Sequence, residues 1–163
     1  MSTKENLMAA FAGESQANRK YLAFAKKAES EGYKSAARMF RAAAEAETLH
    51  AHAHFNAVDG VGSTVDNLKA AVSGETFEFE QMYPPYLEEA KKEGHTKGIR
   101  SISYAMEAEK VHARLFDDVL SNLSKEDDSV YYLCPMCGYV EKNGTPESCP
   151  ICNSKGSSFI KVE

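Results

Sequence analysis

The sequence has no cysteine before residue 134, no run of 18 apolar residues and no excess of positive charge. The missing apolar run argues against a membrane-spanning helix. The net charge of −5 argues against a nucleic-acid surface, which needs a basic patch. Because the first residues lack the basic stretch and apolar core of a secretory signal, we expect a cytoplasmic protein.

All four cysteines lie near the end of the chain, in two Cys-x-x-Cys pairs: Cys134, Cys137, Cys149 and Cys152. In a chain without an export signal, such pairs predict a metal site rather than disulfides. Four thiolates favour tetrahedral zinc or a single iron, and the spacing alone does not separate a structural zinc ribbon from a redox iron centre. Gly138 and Asn153 follow the two pairs and tolerate the positive φ that such turns need.

A second pattern occurs twice in the rest of the chain. Glu47-Thr-Leu-His50 and Glu109-Lys-Val-His112 share the form Glu-x-x-His, and a lone glutamate, Glu14 or Glu75, precedes each by 33 or 34 residues. Residues i and i+3 share a helix face, so each motif points two ligand-type side chains the same way. The repeat predicts four helices that gather carboxylates and imidazoles around one point.

Helix signals organise residues 1 to about 123 into four helices. We predict a first helix from Ser2 to Gly32, a second over about 35–58, a third that begins at Thr64 or Asp66, and a fourth over about 97–123. Prolines at 84 and 85 predict a kink or a restart in the third helix. A charged linker over 124–129 then leads to short β-type runs. The sequence therefore predicts two domains, over 1–128 and 129–163.

The candidate ligands fall on the apolar stripe of each helix, where apolar residues recur at steps of three and four. Seven positions carry them: Glu14, Glu47, His50, Glu75, Glu78, Glu109 and His112. Burial of even one unpaired carboxylate costs several kcal/mol, and Arg and Lys are absent from these stripes. The core therefore needs metal cations, and carboxylates with one imidazole per metal favour iron or manganese. Two single-Glu helices with two Glu-x-x-His helices are typical of ferritin-like di-iron bundles.

Two side chains near this set have open alternatives. Glu78, three residues after Glu75, faces the same site as a seventh ligand, or else it is an acid beside the ligands or at the surface that binds no metal. His54, one turn after His50, is either a further site residue or a hydrogen-bonded core histidine.

With both the carboxylate–histidine pattern and the four-cysteine pattern present, the chain resembles the rubrerythrin family from end to end. The matching stretches are Gly13-Glu-Ser-Gln-Ala, Glu47-x-x-His50, Gly74-Glu-x-x-Glu78 with Met82-Tyr-Pro, Glu109-x-x-His112 and the tail Cys-Pro-x-Cys-Gly-Tyr…Cys-Pro-x-Cys. The resemblance implies a ferritin-like four-helix bundle followed by a small rubredoxin-like β domain. It also implies iron in all three metal positions, with zinc as a possible substitute.

The activity that this resemblance implies is reduction of hydrogen peroxide to water in the cytoplasm. Electrons are expected to pass through the mononuclear iron of the four cysteines from an external donor, either rubredoxin or an NAD(P)H-dependent reductase. In the family, the residues matching Glu78 and His50 compete for one iron. The resemblance places two tyrosines beside the site, and the expected catalytic residues are Glu14, Glu47, Glu78, Glu109, Tyr21 and Tyr83.

The connection between the second and third helices predicts an exchange of helices between chains. Symmetric ligation needs antiparallel Glu-x-x-His helices, so the second and third helices must start at opposite ends of the bundle. The loop over 59–64 reaches roughly 20 Å, whereas a 25-residue helix is about 37 Å long. We therefore predict a homodimer whose bundles pair the first two helices of one chain with the last two of another. A non-helical segment over 65–73 would remove this prediction.

Two other functions compete with peroxide reduction at this stage. A ferroxidase for iron storage would use the same bundle but needs no appended electron-transfer centre. A non-enzymatic zinc-ribbon module on a helical bundle would use the tail but leaves the carboxylates on the apolar stripes unexplained.

Overall fold

The computed structural model describes residues 2–124 and 127–162 and divides the chain into two units, Met1–Gly62 and Ser63–Glu163. The predicted linker over 124–129 includes Lys125 and Glu126, which lie outside the described residues. The predicted domain boundary at residue 128 stays a prediction. Within the described ranges, no helix is long and apolar enough to span a bilayer.

The first unit is a pair of helices, α1 (Thr3–Ser30) and α2 (Lys34–Asn56). The predicted start of α1 is confirmed, because Ser2 and Glu5 form a capping box with both reciprocal hydrogen bonds. The predicted stop is also confirmed, since Gly32 follows the helix with a φ of +85°. The turn at Gly32 thus joins two helices that the sequence places side by side.

Small buried residues and one polar clamp hold α1 against α2. Ala25, Ala37 and Ala44 are at most 1% exposed, so the two backbones approach closely. The Asn18 side-chain amide on α1 donates to the Ala44 carbonyl oxygen at 2.7 Å and to Thr48 Oγ1 at 2.9 Å on α2. These bonds fix the register of α1 on α2, the two helices that carry the first group of candidate ligands.

The second unit begins with α3 (Thr64–Phe77). Our prediction of Thr64 or Asp66 as its cap was wrong, because Ser63 is the N-cap and its Oγ accepts from the Asp66 backbone N at 3.1 Å. Asp66 instead stands at the third helical position, where Ser63 Oγ donates to its carboxylate at 2.6 Å. Residues 65–73 are helical, so the condition set for helix exchange is met.

A π-helical turn, Glu78–Met82, joins α3 to α4 (Tyr83–Lys92). The backbone N of Tyr83 donates to the carbonyl of Glu78, five residues back. Pro84 and Pro85 lie just after this turn, and their missing N–H groups interrupt the helical hydrogen bonds next to the place where the turn widens. The predicted kink is therefore a widened helical turn just before them.

The longest helix of this unit is α5 (Thr96–Ser121). His95 is its N-cap, and His95 Nδ1 accepts from the Gly98 backbone N at 2.9 Å. Contacts run along the α3–α5 and α4–α5 pairs, which places α5 at the centre of the helices in this unit.

The tail is a three-stranded antiparallel sheet of order β2-β1-β3, with β1 Tyr131–Leu133, β2 Val140–Lys142 and β3 Ile160–Val162. The buried core beside this sheet consists of three cysteines and Tyr139. Tyr104 and Val111 of α5 pack against that core, so the tail lies on α5. Within this unit, the helices and the four cysteines are therefore neighbours.

Candidate metal centres

The first group of candidate ligands lies on α1 and α2. Glu14, Glu47 and His50 each place a ligand atom within 4.8 Å of the others. His50 Nδ1 lies 3.0 Å from Glu47 Oε2, as the i, i+3 spacing predicts. The Glu47 side chain is 18% exposed and that of His50 is 58% exposed.

A hydrogen bond between the carboxyl groups of Glu14 and Glu47 shapes the electrostatics of this group. It raises the pKa of Glu14 and lowers the pKa of Glu47, because a hydrogen bond between two carboxyl groups needs a proton on one of them. His54 lies near enough to Glu14 for its charge to act against the increase in the Glu14 pKa. Among the described contacts, no direct hydrogen bond joins the two side chains. Two carboxyl groups that share a proton are suited to share a cation in its place.

The second group lies on α3 and α5 and is more enclosed. Glu75, Glu109 and His112 also place ligand atoms within 4.8 Å of one another, and their side chains are 17–22% exposed. His112 Nδ1 lies 2.6 Å from Glu109 Oε2 and 3.8 Å from Glu75 Oε2. Burial, then the hydrogen bond and charge of Glu109, raise the pKa of Glu75 to about 7.

Glu78 and Tyr83 lie at the two ends of the π-helical turn, near this second group. Burial raises the pKa of Glu78, and the charge of Glu109 adds to the effect, so the two carboxylates sense each other. Burial also raises the pKa of Tyr83, followed by the charges of Glu78, Glu109 and Glu75. Glu78 is not among the three residues whose ligand atoms meet within 4.8 Å, which makes it a peripheral member of the group.

Tyr21 lies in an aromatic cluster of the first unit. Its ring centroid is 6.3 Å from that of Phe24 and 6.2 Å from that of Phe40. The described contacts place Tyr21 with these rings rather than with Glu14, so its predicted role beside the metals stays a prediction.

The expectation of fully buried carboxylates is not met by the single chain. No polar or charged residue among the described ones is buried, and Phe24, which follows Glu14 by ten positions on the same helix, is 47% exposed. The ligand side chains nevertheless share helix faces as the stripes predict, because each Glu-x-x-His motif lies beside its upstream glutamate. Full burial remains a prediction for the assembled protein.

The four cysteines converge as predicted. All four sulfur atoms lie within 4.8 Å of one another, with Sγ distances of 3.6 Å for Cys134–Cys152 and 3.4 Å for Cys137–Cys149. Tetrahedral coordination with metal–sulfur bonds of about 2.3 Å requires sulfur separations of about 3.8 Å. The cysteines are unbridged thiols, and this arrangement fits a single zinc or iron ion.

Local backbone and hydrogen bonds complete this four-cysteine site. Gly138 and Asn153 have φ values of +84° and +59°, as their positions after the cysteine pairs predict. Burial raises the pKa of the Cys137 and Cys149 thiols. Burial also acts to raise the pKa of Cys152, but hydrogen bonds from Ser154 and interactions with the other thiols lower it to about 6. A metal ion is the cation that stabilises four thiolates in so small a volume.

One contact joins the two centres of the second unit. His112 Nε2 lies 2.8 Å from the carbonyl oxygen of Gly138, the residue that follows the first cysteine pair. The two residues are 26 positions apart, and nothing in their spacing indicates that they meet. This contact is the functional feature that sequence reasoning missed.

Comparison with known proteins assigns these features to a family. The rubrerythrin family model matches residues 5–120, and the model of the rubredoxin-like domain of rubrerythrin matches residues 132–160. The chain belongs to the rubrerythrin family. The predicted fold class and cofactor class, a ferritin-like di-iron domain with a rubredoxin-like four-cysteine site, are confirmed.

Individual relatives agree over nearly the whole chain. Rubrerythrin-2 of Clostridium acetobutylicum is 37% identical over 174 residues, which cover 96% of this chain and 95% of that protein. Nigerythrin of Nitratidesulfovibrio vulgaris is 37% identical over 172 residues, with 97% and 85% covered. The solved structure of fully reduced, all-ferrous nigerythrin is 36% identical with a TM-score of 0.61 and covers 99% of this chain and 87% of that one.

Proposed function

We propose that this chain reduces hydrogen peroxide to water at a di-iron site, with electrons that enter through a mononuclear iron held by the four cysteines. The observation that carries the proposal is the presence, in one chain of the rubrerythrin family, of two Glu-Glu-His groups and a four-cysteine group. Reduction of one peroxide consumes two electrons and two protons, breaks the O–O bond and yields two water molecules. The carboxylate groups are suited to bind the iron pair that reduces peroxide, and the cysteines are suited to bind the iron that delivers electrons to it.

The residues assigned to the di-iron site are Glu14, Glu47, His50, Glu75, Glu78, Glu109 and His112. Those assigned to the mononuclear iron are Cys134, Cys137, Cys149 and Cys152. When bound, the iron pair supplies the two electrons and acts as a Lewis acid toward peroxide. Zinc in the cysteine site would preserve the fold of the tail but not its electron transfer.

The chain's own carboxyl groups supply the protons. In the metal-free chain, burial and then Glu109 raise the pKa of Glu75 to about 7, so this carboxyl group gains and loses a proton near neutral pH, where an ordinary glutamate is fully ionised. Tyr83 stays protonated because burial and the nearby carboxylates raise its pKa, so its hydroxyl remains a hydrogen-bond donor. Glu14, Glu47, Glu78, Glu109 and Tyr21 complete the proposed catalytic set.

The electron supply requires an external donor, which we propose to be rubredoxin or an NAD(P)H-dependent reductase in the cytoplasm. Among the described cysteines, Cys152 is the least buried, and Met136 between the first two cysteines is 66% exposed. The tail therefore presents its metal-binding turns to a redox partner.

We also propose that the active protein is a homodimer with exchanged helices. Each unit of the chain holds one Glu-Glu-His group, which is half of the proposed ligand set. Helix α3 begins at Thr64, with its N-cap at Ser63, so only seven residues separate it from Asn56, the last residue of α2. A connection of this length reaches roughly 25 Å, which is short of the length of α2.

The decisive experiment compares two glutamates on α5. Glu109→Ala removes a proposed ligand, whereas Glu107→Ala removes an exposed side chain that pairs with Lys110 at 2.6 Å. We expect anaerobically purified, iron-loaded Glu109→Ala protein to lose peroxide consumption but keep the visible absorption of the cysteine-bound iron, and Glu107→Ala to keep both. Peroxide turnover in Glu109→Ala protein would show that the helical bundle is not the site of peroxide reduction. Oxygen-driven Fe(II) oxidation without peroxide turnover in the unmodified protein would make it a ferroxidase.

A further inference from the structure

We propose that Gly138 positions the metal ligand His112, so that the folded four-cysteine tail sets the ligand geometry of the carboxylate group on its own chain. The inference rests on the proposed function only in requiring that both groups bind metal. It assigns a positioning role to the backbone carbonyl of Gly138. The Glu-x-x-His and Cys-x-x-Cys motifs do not indicate that this carbonyl contacts a metal ligand.

The two nitrogens of the His112 ring face different partners. Nδ1 faces the carboxylates, at 2.6 Å from Glu109 and 3.8 Å from Glu75, whereas Nε2 faces the Gly138 carbonyl oxygen at 2.8 Å. A metal-bound imidazole keeps one proton, and the hydrogen bond of the other nitrogen decides where that proton resides. Donation from Nε2–H to Gly138 therefore leaves the Nδ1 lone pair directed at the metal position and fixes the ring plane.

The Gly138 carbonyl is held in place by the first cysteine turn. The Gly138 backbone N donates to the Cys134 carbonyl at 3.0 Å, and the Cys134 backbone N donates to the Tyr139 carbonyl at 2.8 Å. The φ of +84° at Gly138 directs its peptide in a way that most side chains disfavour. Metal binding by the four cysteines supplies folding energy to so small a ribbon, so we expect the position of this carbonyl to depend on the metal of the cysteine site.

The tail also touches α5 at residues that directly precede His112. A Cβ at Gly138 would lie 3.9 Å from Ala108 Cβ, one turn before His112, and Val111 packs against the buried core that contains Cys137. The contact at His112 is thus part of a packed surface within one unit of one chain, not an isolated hydrogen bond.

His50 provides an internal control for this role. It occupies the equivalent position in the other Glu-x-x-His motif, but its side chain is 58% exposed against 22% for His112. Among the described residues, the ring of His50 bonds only to Glu47, through Nδ1. Loss of the tail's metal is therefore expected to affect His112 and to leave His50 unchanged.

The first test measures metal affinity rather than turnover. Co²⁺ is titrated into the carboxylate site and followed by its visible absorption. The unmodified full chain, with Zn²⁺ in its cysteine site, is compared with the double variant Cys149→Ser, Cys152→Ser, which lacks two of the four cysteine ligands. We expect the variant to bind Co²⁺ about tenfold more weakly or worse, the usual effect of removing a partner of a ligand histidine. An affinity within twofold of the unmodified protein, with helical circular dichroism intact, would overturn the proposal.

A second pair of variants keeps the tail's metal. Asn tolerates a positive φ, whereas Val does not, so Gly138→Asn keeps the carbonyl orientation and Gly138→Val displaces it. After the charge-transfer bands of the iron-loaded tail confirm that both tails are folded, we expect weaker Co²⁺ binding at the carboxylate site only in Gly138→Val. Equal affinities for the two variants would contradict the role of the carbonyl.

A third measurement reads the ring directly. In the zinc-loaded full-length protein, ¹⁵N NMR should find the proton of His112 on Nε2, and removal of the tail's metal should change the His112 signal but not that of His50. Equal changes at both rings, or none at His112, would refute the positioning role. If the Co²⁺ affinity depends on the tail but the protein does not reduce peroxide, only the proposed function is wrong. If the protein reduces peroxide but the Co²⁺ affinity does not depend on the tail, only this inference is wrong.

Discussion

The carboxyl groups of Glu75 on α3 and Glu109 on α5 share a hydrogen bond, although the two residues are 34 positions apart. Burial places them where a lone negative charge is costly, and together with the shared bond it raises the pKa of Glu75 to about 7. A proton and a metal ion therefore compete for the same place, and this competition has a measurable pH dependence.

Metal-free protein should become less stable as the pH rises from 4.5 to 7. The pKa of Glu75 is raised above its ordinary value of 4.5, so the stabilising contribution of its proton is complete below pH 4.5 and is lost as pH passes through about 7. Urea unfolding of chelator-treated protein at several pH values measures this trend. The variant Glu75→Gln, which cannot ionise, should show a flatter profile, and an unchanged profile would contradict the assignment.

Gly156→Ala should disrupt the tail. A Cβ at Gly156 would lie 1.7 Å from the carbonyl oxygen of Pro146, and backbone atoms cannot move aside as a flexible side chain can. Overpacking typically costs about 1–3 kcal/mol, so the variant should lose its tail metal at a lower guanidinium concentration. Gly144→Ala is the matched control, because nothing lies within 4 Å of the added Cβ. Equal metal retention in both variants would be contrary to this packing.

Asn18→Ala should weaken the pairing of α1 with α2. The variant removes the hydrogen bonds to Ala44 and Thr48, each worth about 1 kcal/mol. A lower midpoint in thermal unfolding checks this, with Asn6→Ala on the exposed side of the same helix as the control. If both variants melt at the same temperature, the clamp does not stabilise the helix pair.

A longer connection between α2 and α3 should change the oligomeric state. Insertion of 12 Gly/Ser residues after Gly60 adds up to about 40 Å of reach, enough for a chain to close its own bundle. We expect the unmodified protein to be a dimer by light scattering and the insertion variant to contain monomer. A monomeric unmodified protein would eliminate helix exchange.

Ser154→Ala should lower the reduction potential of the cysteine-bound iron. Ser154 Oγ lies 3.1 Å from Cys152 Sγ, and a hydrogen bond to a thiolate sulfur stabilises the reduced, more negative site. A spectroscopic redox titration against Ser157→Ala, a change at an exposed position of the same tail, measures the shift. A potential that rises or stays constant would contradict this role of Ser154.

Periodicity and spacing predicted much of this protein because the relevant forces are local. The capping box of Ser2 and Glu5, the stop at Gly32 and the positive φ at Gly138 each depend on a few adjacent residues, and all three are present. The convergence of the four cysteines was predictable because two turns with fixed geometry must share one ion.

Other features depend on residues that are distant in the chain, or on roles that several residue types can fill equally well. Ser63, Thr64 and Asp66 all carry capping side chains, and only the backbone geometry selects Ser63. The contact of His112 with Gly138 depends on how the tail packs on α5, which no local pattern encodes. The stripes predict fully buried carboxylates, whereas the side chains of Glu47, Glu75 and Glu109 are 17–22% exposed in the single chain, because a stripe indicates which helix face is apolar but not what covers it.

The π-helical turn Glu78–Met82 amounts to a one-residue insertion in an otherwise continuous helix. In a regular α-helix, residues five apart point about 140° away from each other. The wider turn reduces that angle, so Glu78 and Tyr83 both come within electrostatic reach of Glu109. Deletion of one residue, such as Gln81, would restore the ordinary pitch and rotate the tyrosine away, which separates the phenol from the carboxylates without altering either side chain.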